Sequence, residues 1–232
     1  MTRLPRVTLV RQLDTHRLVP SRYLKSGDSI LARLVDDDND LQAIFELDAA
    51  TNDRLIAEHQ RFPGIGVEEL VFGVPWSHVV NAAFCHPHPL GARFSGPDRG
   101  AWYAGFALDT AQAEVAFHKS VELAETAWTA EMSVTYDDYM ADFSAAFHDL
   151  RKGGGQAYLN PKSYVSSQAL AERLLDAGSL GIVYPSVRQA DGTCLACFRP
   201  PLVANVRRDA TYRFTWEGHA PPTIVRQRRA AS

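Results

Sequence analysis

The sequence is poor in cysteine and has no excess of glycine, proline or charge. Only three of its 232 residues are cysteine, which excludes a small disulfide-stapled scaffold. The 15 Gly and 13 Pro are too few for a collagen-like or low-complexity chain. Lys and Arg (24) nearly balance Asp and Glu (27), giving a formal net charge of −3, so direct nucleic-acid binding is not expected. An ordinary globular protein remains.

Long apolar runs are also missing. No window approaches the ~18 uninterrupted apolar residues that a membrane span requires, and no segment resembles a secretion signal. Residues 1–35 are rich in arginine, which leaves an organelle transit peptide as the alternative. Their apolar residues form no clean helical stripe, however. We therefore expect a cytoplasmic protein without a membrane association.

The cysteine and histidine spacings do not complete a metal site. Cys194 and Cys197 form a CxxC pair, and His86 and His88 form an HxH pair. A structural zinc site needs four ligands, and no second pair stands at suitable spacing. The CxxC segment is predicted to be extended, which sends residues three apart to opposite faces. We expect reduced core cysteines, loop histidines with a substrate contact as their alternative, and no metal.

Apolar periodicity and turn residues predict an α+β fold. The Asp191-Gly192 pair predicts a hairpin, and Asp109 with Gln112 has the form of a capping box. The predicted helices span residues 41–60, 77–84 with Ser77 as cap, 109–126 and 165–177, and the predicted strands span 71–74, 101–107, 128–136, 180–187, 194–200, 202–207 and 211–217.

Breaks in these patterns predict three regions. Residues 61–66, Arg-Phe-Pro-Gly-Ile-Gly, interrupt the periodicity and predict a boundary. We therefore expect an N-terminal helical extension over 1–66 and the main α+β domain over 67–217. A basic, frayed C-terminal tail is expected over 218–232.

Glu114 is out of place on its predicted helix, because it falls between two apolar arcs. An ionised carboxylate there is costly unless it is paired, and His118 lies one turn further on the same side. A structural Glu–His or Glu–Arg pair and a functional carboxylate are both open on this pattern alone.

The segment ahead of that helix combines arginines with large aromatic residues. Arg93 and Arg99 precede Trp102 and Tyr103, and a guanidinium suits a phosphate while an aromatic face suits a flat heterocycle. Ser186 follows a predicted strand without the glycines of a nucleophile elbow. We therefore expect Ser186 to hydrogen-bond and not to act as a hydrolase nucleophile.

Four short motifs together resemble the RES domain over roughly residues 68–200. They are Gly91-Ala92-Arg93-Phe94-Ser95, Trp102-Tyr103-Ala104, Thr110-Ala111 through Ala113-Glu114-Val115, and Tyr184-Pro185-Ser186. The resemblance implies an ADP-ribosyltransferase-like mixed or antiparallel sheet with flanking helices. It also implies a bacterial toxin that is neutralised by an Xre-type helix-turn-helix antitoxin and that acts on NAD⁺.

The resemblance assigns roles to four residues. Glu114 would stabilise the cationic ribose, Arg93 would pair with the pyrophosphate, Tyr103 would stack on or flank the nicotinamide and Ser186 would hydrogen-bond the substrate. The expected reaction cleaves the nicotinamide–ribose bond by hydrolysis or phosphorolysis. Transfer of ADP-ribose to a protein is the alternative enzyme activity, and a non-catalytic binding module of the same fold is the alternative class.

The sequence departs from the family at two places. Many members have Gly-Gly-Arg-Trp-Asn where this chain has Gly-Ala-Arg-Phe-Ser, and an early family arginine is missing around Leu70–Val74. We hypothesise that Arg99 or His86 takes its place. The acceptor of ADP-ribose, the role of residues 1–66 and a homodimer within a toxin–antitoxin complex stay open.

Overall fold

Seven strands and three helices form the described part of the protein. A computed structural model describes residues 4–23, 64–126, 131–153, 155–218 and 220–228. The strands are β1 (Val7–Pro20), β2 (Trp102–Gly105), β3 (Met132–Asp149), β4 (Gly181–Pro185), β5 (Thr193–Cys197), β6 (Ala204–Trp216) and β7 (Thr223–Gln227). The helices are α1 (Ser77–Cys85), α2 (Leu108–Glu125) and α3 (Val165–Asp176).

All seven strands belong to one mixed sheet. Their order is β1-β2-β5-β4-β3-β6-β7, and β1 also pairs with β3. Only the β3–β4 pairing is parallel among these strands. The pairings of β1 with β2 and β3 close the first five strands into a ring. A mixed sheet with flanking helices confirms the α+β prediction.

The described part of the N-terminal extension is a strand, which corrects the helical prediction for it. β1 pairs antiparallel with β3 from Val7 opposite His148 to Pro20 opposite Tyr136. It also meets β2 where His16 lies opposite Gly105. The expected domain boundary at residues 66–67 therefore does not separate β1 from the main sheet. The predicted helix over 41–60 lies outside the described residues.

A single strand, β6, replaces the two strands predicted over 202–207 and 211–217. The prediction left a break over residues 208–210, but the charged side chains at and just before this break have partners on β3. Arg207 donates to Asp142 at 3.1 Å, and Arg208 donates to Asp137 at 2.7 Å. Because these ion pairs cross the β3–β6 ladder, the charged residues stay within the sheet and the strand continues.

Two further local predictions are wrong. Residues Thr223–Gln227, expected in a frayed tail, form β7 against β6; charged side chains such as Arg226 are common on edge strands. Val71 is not in a strand, because both its backbone N–H and its carbonyl bind the side-chain amide of buried Asn81 on α1. That amide takes the place of a neighbouring strand.

The helix starts also differ from prediction. α1 includes Ser77, and its cap is Trp76 in a left-handed conformation with φ 60°. α2 begins at Leu108 without a side-chain cap, and the Asp109 carboxylate instead accepts from the Thr110 backbone N–H at 2.6 Å. The predicted capping box is therefore absent from α2. α3 and the β4–β5 hairpin agree with prediction.

The CxxC pair lies across the sheet, as predicted. Buried Cys194 packs with Phe94 and Tyr184 on one face, and buried Cys197 packs with Trp102 on the other. Both thiols are free. Burial raises the pKa of Cys197 to about 12, so this thiol stays protonated and behaves as an apolar core residue.

Candidate active site

Glu114 on α2 is held by Ser186, which follows β4. The Ser186 hydroxyl donates to Glu114 Oε1 at 2.6 Å. Its oxygen accepts from the backbone N–H groups of Arg188 at 3.1 Å and Gln189 at 3.0 Å. A hydroxyl has one proton and two lone pairs, so these contacts use all of them. The Ser186 proton is thereby directed at Glu114.

Cys194 on β5 is a second contact of the same carboxylate oxygen. Its Sγ lies 3.7 Å from Glu114 Oε1. Burial, and then the negative charge of Glu114, raise the pKa of the Cys194 thiol, so it remains a weak donor. No described residue donates to Glu114 Oε2. The carboxylate is thus anchored through one oxygen, and the other is left for a ligand.

Arg93 is a buried cation without a carboxylate partner among the described residues. Arg93 is only 5% exposed. Nη1 donates to the Asn160 carbonyl at 2.9 Å, and the guanidinium lies 4.6 Å from the centre of the Tyr164 ring. Nη2 is buried without a hydrogen-bond partner. An unpaired buried donor is costly, which makes Nη2 a candidate for an anionic ligand.

Tyr103 on β2 supports the segment that carries Arg93. Its Oη accepts from the Phe94 backbone N–H at 2.9 Å and donates to Ser95 Oγ at 3.1 Å. Burial raises the pKa of Tyr103 to about 12, so the phenol stays neutral and keeps both contacts near neutral pH. The expected stacking of Tyr103 on nicotinamide stays a prediction.

These side chains meet around Tyr184 at the end of β4. Its ring packs edge-on against Phe94 with centroids 4.7 Å apart. Burial raises the pKa of Tyr184 well above its ordinary value. The charges of Glu114 and Arg93 act on this phenol in opposite directions, and Tyr103 also lies within electrostatic reach. The structure thus brings Arg93, Tyr103, Glu114 and Ser186 into one neighbourhood.

The segment that contains these residues matches a known family. The model of the RES domain matches residues 70–217, more than half of the chain. The chain belongs to the RES domain family. The matched range contains Arg93, Tyr103, Glu114, Ser186 and Cys194 but neither β1 nor β7.

One similar solved structure is that of the M. tuberculosis MbcT–MbcA toxin–antitoxin complex. It gives a TM-score of 0.42 and 15% identity over 56% of this chain and 73% of that chain. No curated protein sequence matches this chain.

Arg99 of the RES domain pairs with Glu69 and not with a residue of the candidate active site. Its Nη1 and Nη2 donate to the two carboxylate oxygens of Glu69, each at 2.7 Å. Arg199 donates to the same carboxylate at 2.8 Å. These pairs, with the Arg99 hydrogen bond the largest cause, lower the pKa of Glu69 to about 2. The Glu69 carboxylate therefore joins the segments that carry Arg99 and Arg199, and the structure does not bring Arg99 to Glu114.

His86 is the other residue proposed to replace the missing family arginine. The placement of the histidine side chains supports neither this role nor a metal site. His86 is exposed at the end of α1, and neighbouring His88 accepts from the Leu90 backbone N–H at 3.1 Å. Across the described ranges, no three His, Cys, Asp or Glu side chains cluster as metal ligands would.

None of the helices described here combines the length and hydropathy needed to cross a membrane.

Arg188 is a site residue that the sequence analysis missed. Its guanidinium carbon lies 3.3 Å from the centre of the Phe117 ring, one turn along α2 from Glu114. Nη2 donates to the Pro161 carbonyl at 2.6 Å, and Nε is buried without a partner. A lone arginine in a hairpin loop gives no sequence signal. Its position becomes clear only when the loop folds onto Phe117.

Arg17 on β1 was also missed, because β1 was expected in a separate extension. Its Nη1 donates to the Tyr103 backbone carbonyl at 3.2 Å, and its guanidinium lies 5.0 Å from the centre of the Trp102 ring. Burial lowers the pKa of Arg17 to about 10, so it remains charged at neutral pH. Arg17 connects the N-terminal strand to the strand that carries Tyr103.

Proposed function

We propose that this RES protein is the toxin of a toxin–antitoxin system and cleaves NAD⁺ between nicotinamide and ribose. One observation carries the proposal. Ser186 anchors one oxygen of Glu114, while Arg93 and Arg188 keep buried N–H groups unpaired in the same neighbourhood. A fixed carboxylate beside unneutralised guanidinium groups suits a substrate that combines a developing cation with a pyrophosphate.

Glu114 is the group that acts on the reacting bond. When the bond between ribose C1′ and the nicotinamide nitrogen breaks, its electron pair leaves with nicotinamide and positive charge develops on the ribose. A carboxylate already held in place stabilises this charge mainly in the transition state. Water or phosphate then forms a new C1′–O bond, and water releases its proton as it does so.

Arg93 and Arg188 bind the pyrophosphate in this proposal. Neither has a carboxylate partner within the described residues, and each has a buried nitrogen without a hydrogen bond. A buried cation is unfavourable without a counter-ion, so a ligand phosphate removes a cost already present in the free protein. Arg188 thereby takes the role that the sequence analysis gave to Arg99.

The test measures nicotinamide released from NAD⁺ with and without phosphate. Glu114→Gln keeps the size of the side chain and removes the charge, so we expect the rate to fall by roughly 10²–10³-fold with an unchanged melting temperature. Glu122→Gln is the matched control, because Glu122 lies on the same helix and its carboxylate, among the described residues, pairs with Lys119. Near-normal turnover by folded Glu114→Gln would overturn the assignment.

The products distinguish the acceptors. Free ADP-ribose indicates hydrolysis, and a phosphate-dependent phosphorylated product indicates phosphorolysis. Label from NAD⁺ that is retained on a protein band indicates ADP-ribosylation instead. Wild-type protein that releases no nicotinamide would contradict every enzymatic version of the proposal.

The biological part of the proposal is growth arrest relieved by an Xre-type antitoxin. Expression of the wild-type protein in a bacterial host should stop growth, whereas Glu114→Gln should not. Co-expression of the antitoxin should restore growth. If Glu114→Gln arrests growth as strongly as the wild type at equal expression, the toxicity does not come from this site.

A further inference from the structure

A polar cavity borders the sheet face opposite α2 and the edge strand β7. Tyr136 and Tyr212 pack with residues of α2, so their neighbours along the strands point to the other face. A cavity of about 880 Å³ opens there. Ser21, which directly follows β1, lines the cavity. The charged lining residues are Asp137, Arg208, Asp209, Arg213, Arg226 and Arg228.

The cavity has an excess of positive charge. Arg208 pairs with Asp137 at 2.7 Å, and Arg226 lies 3.9 Å from Asp209. Arg213 and Arg228 have no carboxylate partner among the described residues. Two of the four guanidinium groups are therefore not neutralised, and both can pair with an anion.

Ser21 supplies an independent sign of a ligand. The residue is only 5% exposed, it lines the cavity, and its Oγ is buried without a hydrogen-bond partner. A buried hydroxyl is usually satisfied. An acceptor oxygen of a ligand that enters the cavity would satisfy this one.

We propose that this cavity is an anion-binding site for a small molecule that carries a diphosphate group. Arg213 and Arg228 would each contact one phosphate, and the Ser21 hydroxyl would donate to a phosphate oxygen. The volume is within the range of small-molecule sites and leaves room for an organic group beyond the phosphates. The buried position of Ser21 favours a small ligand over an acidic protein surface. The site is separate from Glu114 and does not depend on NAD⁺ cleavage.

Calorimetric titration with inorganic pyrophosphate at fixed ionic strength tests the proposal. We expect saturable binding to the full chain. The double variant Arg213→Gln/Arg228→Gln should raise the dissociation constant at least about tenfold, and Ser21→Ala about threefold or more. Ser21→Ala should keep the wild-type melting temperature, because the hydroxyl it removes has no hydrogen-bond partner among the described residues.

Two control variants separate this site from general charge attraction and from the candidate active site. Arg11→Gln removes an exposed arginine of β1 that does not line the cavity and should leave binding unchanged. Arg188→Gln weakens only the pyrophosphate binding proposed for the candidate active site, so the cavity substitutions should weaken the binding that remains in Arg188→Gln. Absence of saturable binding overturns the proposal. So does an equal loss in Arg11→Gln, or binding in Arg188→Gln that the cavity substitutions leave unchanged. Binding of a hexa-aspartate peptide but not pyrophosphate would assign the cavity to an acidic protein segment instead.

Discussion

Ser186 donates to Glu114 Oε1 at 2.6 Å while two backbone N–H groups of its own loop donate to Ser186. The loop after β4 therefore fixes the hydroxyl, and the hydroxyl fixes the carboxylate on α2. The position of Glu114 depends on two elements distant in sequence. This arrangement explains how a half-buried carboxylate is kept in one orientation without an arginine partner in the described part of the chain.

Removal of the Ser186 hydroxyl should impair catalysis more than folding. Ser186→Ala leaves Glu114 without its short hydrogen bond, so we expect nicotinamide release to fall by roughly 10–10²-fold and the unfolding free energy by about 1 kcal/mol. Ser186→Thr keeps the hydroxyl and should recover part of the rate. Ser133→Ala removes an exposed hydroxyl on β3 and serves as the control. Equal rates for Ser186→Ala and wild type would refute this role.

Loss of the Arg188 charge should weaken substrate binding. In Arg188→Gln, the pyrophosphate loses a cation, so we expect KM for NAD⁺ to rise about tenfold with a smaller change in kcat. Arg11→Gln, which removes an exposed arginine on β1, should change neither constant. Initial-rate kinetics measure both constants. An unchanged KM in Arg188→Gln would remove Arg188 from the pyrophosphate site.

Arg99 should matter for stability and not for substrate. Arg99→Ala breaks the two-pronged contact with Glu69 and the hydrogen bond to the Phe198 carbonyl. We expect the unfolding free energy to fall by about 2–3 kcal/mol with KM for NAD⁺ unchanged. Denaturant unfolding and initial rates give the two quantities. A large rise in KM at wild-type stability would restore Arg99 as a phosphate ligand.

The Glu69 contacts make stability depend on pH in acid. The pKa of Glu69 is lowered to about 2 in the folded protein from 4.5. Its ionised form is therefore favoured by folding, and that stabilisation is present above about pH 4.5 and lost as the pH falls towards 2. Glu69→Gln should cost about 1–2 kcal/mol at pH 7, reduced by partial solvent exposure.

The acid dependence has a simple check. Urea unfolding of wild type and Glu69→Gln at pH 7 and pH 3 should show a smaller difference at the lower pH. A difference of the same size at both values would mean that the glutamate acts through packing and not through its charge.

Elements with local signals were predictable from the sequence. α3 has an amphipathic pattern ended by Gly178, and the β4–β5 hairpin contains the Asp-Gly pair. β1 was not, because its partner β3 is distant in the sequence and arginines interrupt its apolar residues. β7 was not either, because it is only five residues long and contains an arginine, although its partner β6 is close in the sequence. β1 stays extended because β3 supplies its hydrogen bonds, and no window of its own sequence contains that information.

The candidate site also contains some residues that the sequence predicts and others that it does not. Arg93, Tyr103, Glu114 and Ser186 could be selected because they stand in motifs whose order resembles a family. Arg188 and Tyr164 stand in no motif, and they reach the site only when loops fold over α2. The partner of Arg99 was also hidden, because nothing in the spacing links Glu69 to it.

The placement of β1 has a consequence for the timing of folding. The Thr15 hydroxyl donates to the Ala141 carbonyl, 126 residues away, and contacts of such high contact order form slowly. During synthesis, β1 leaves the ribosome long before β3 exists to pair with it. A protein made in this order stays incomplete, and open to capture by chaperones or proteases, until most of its chain has been translated.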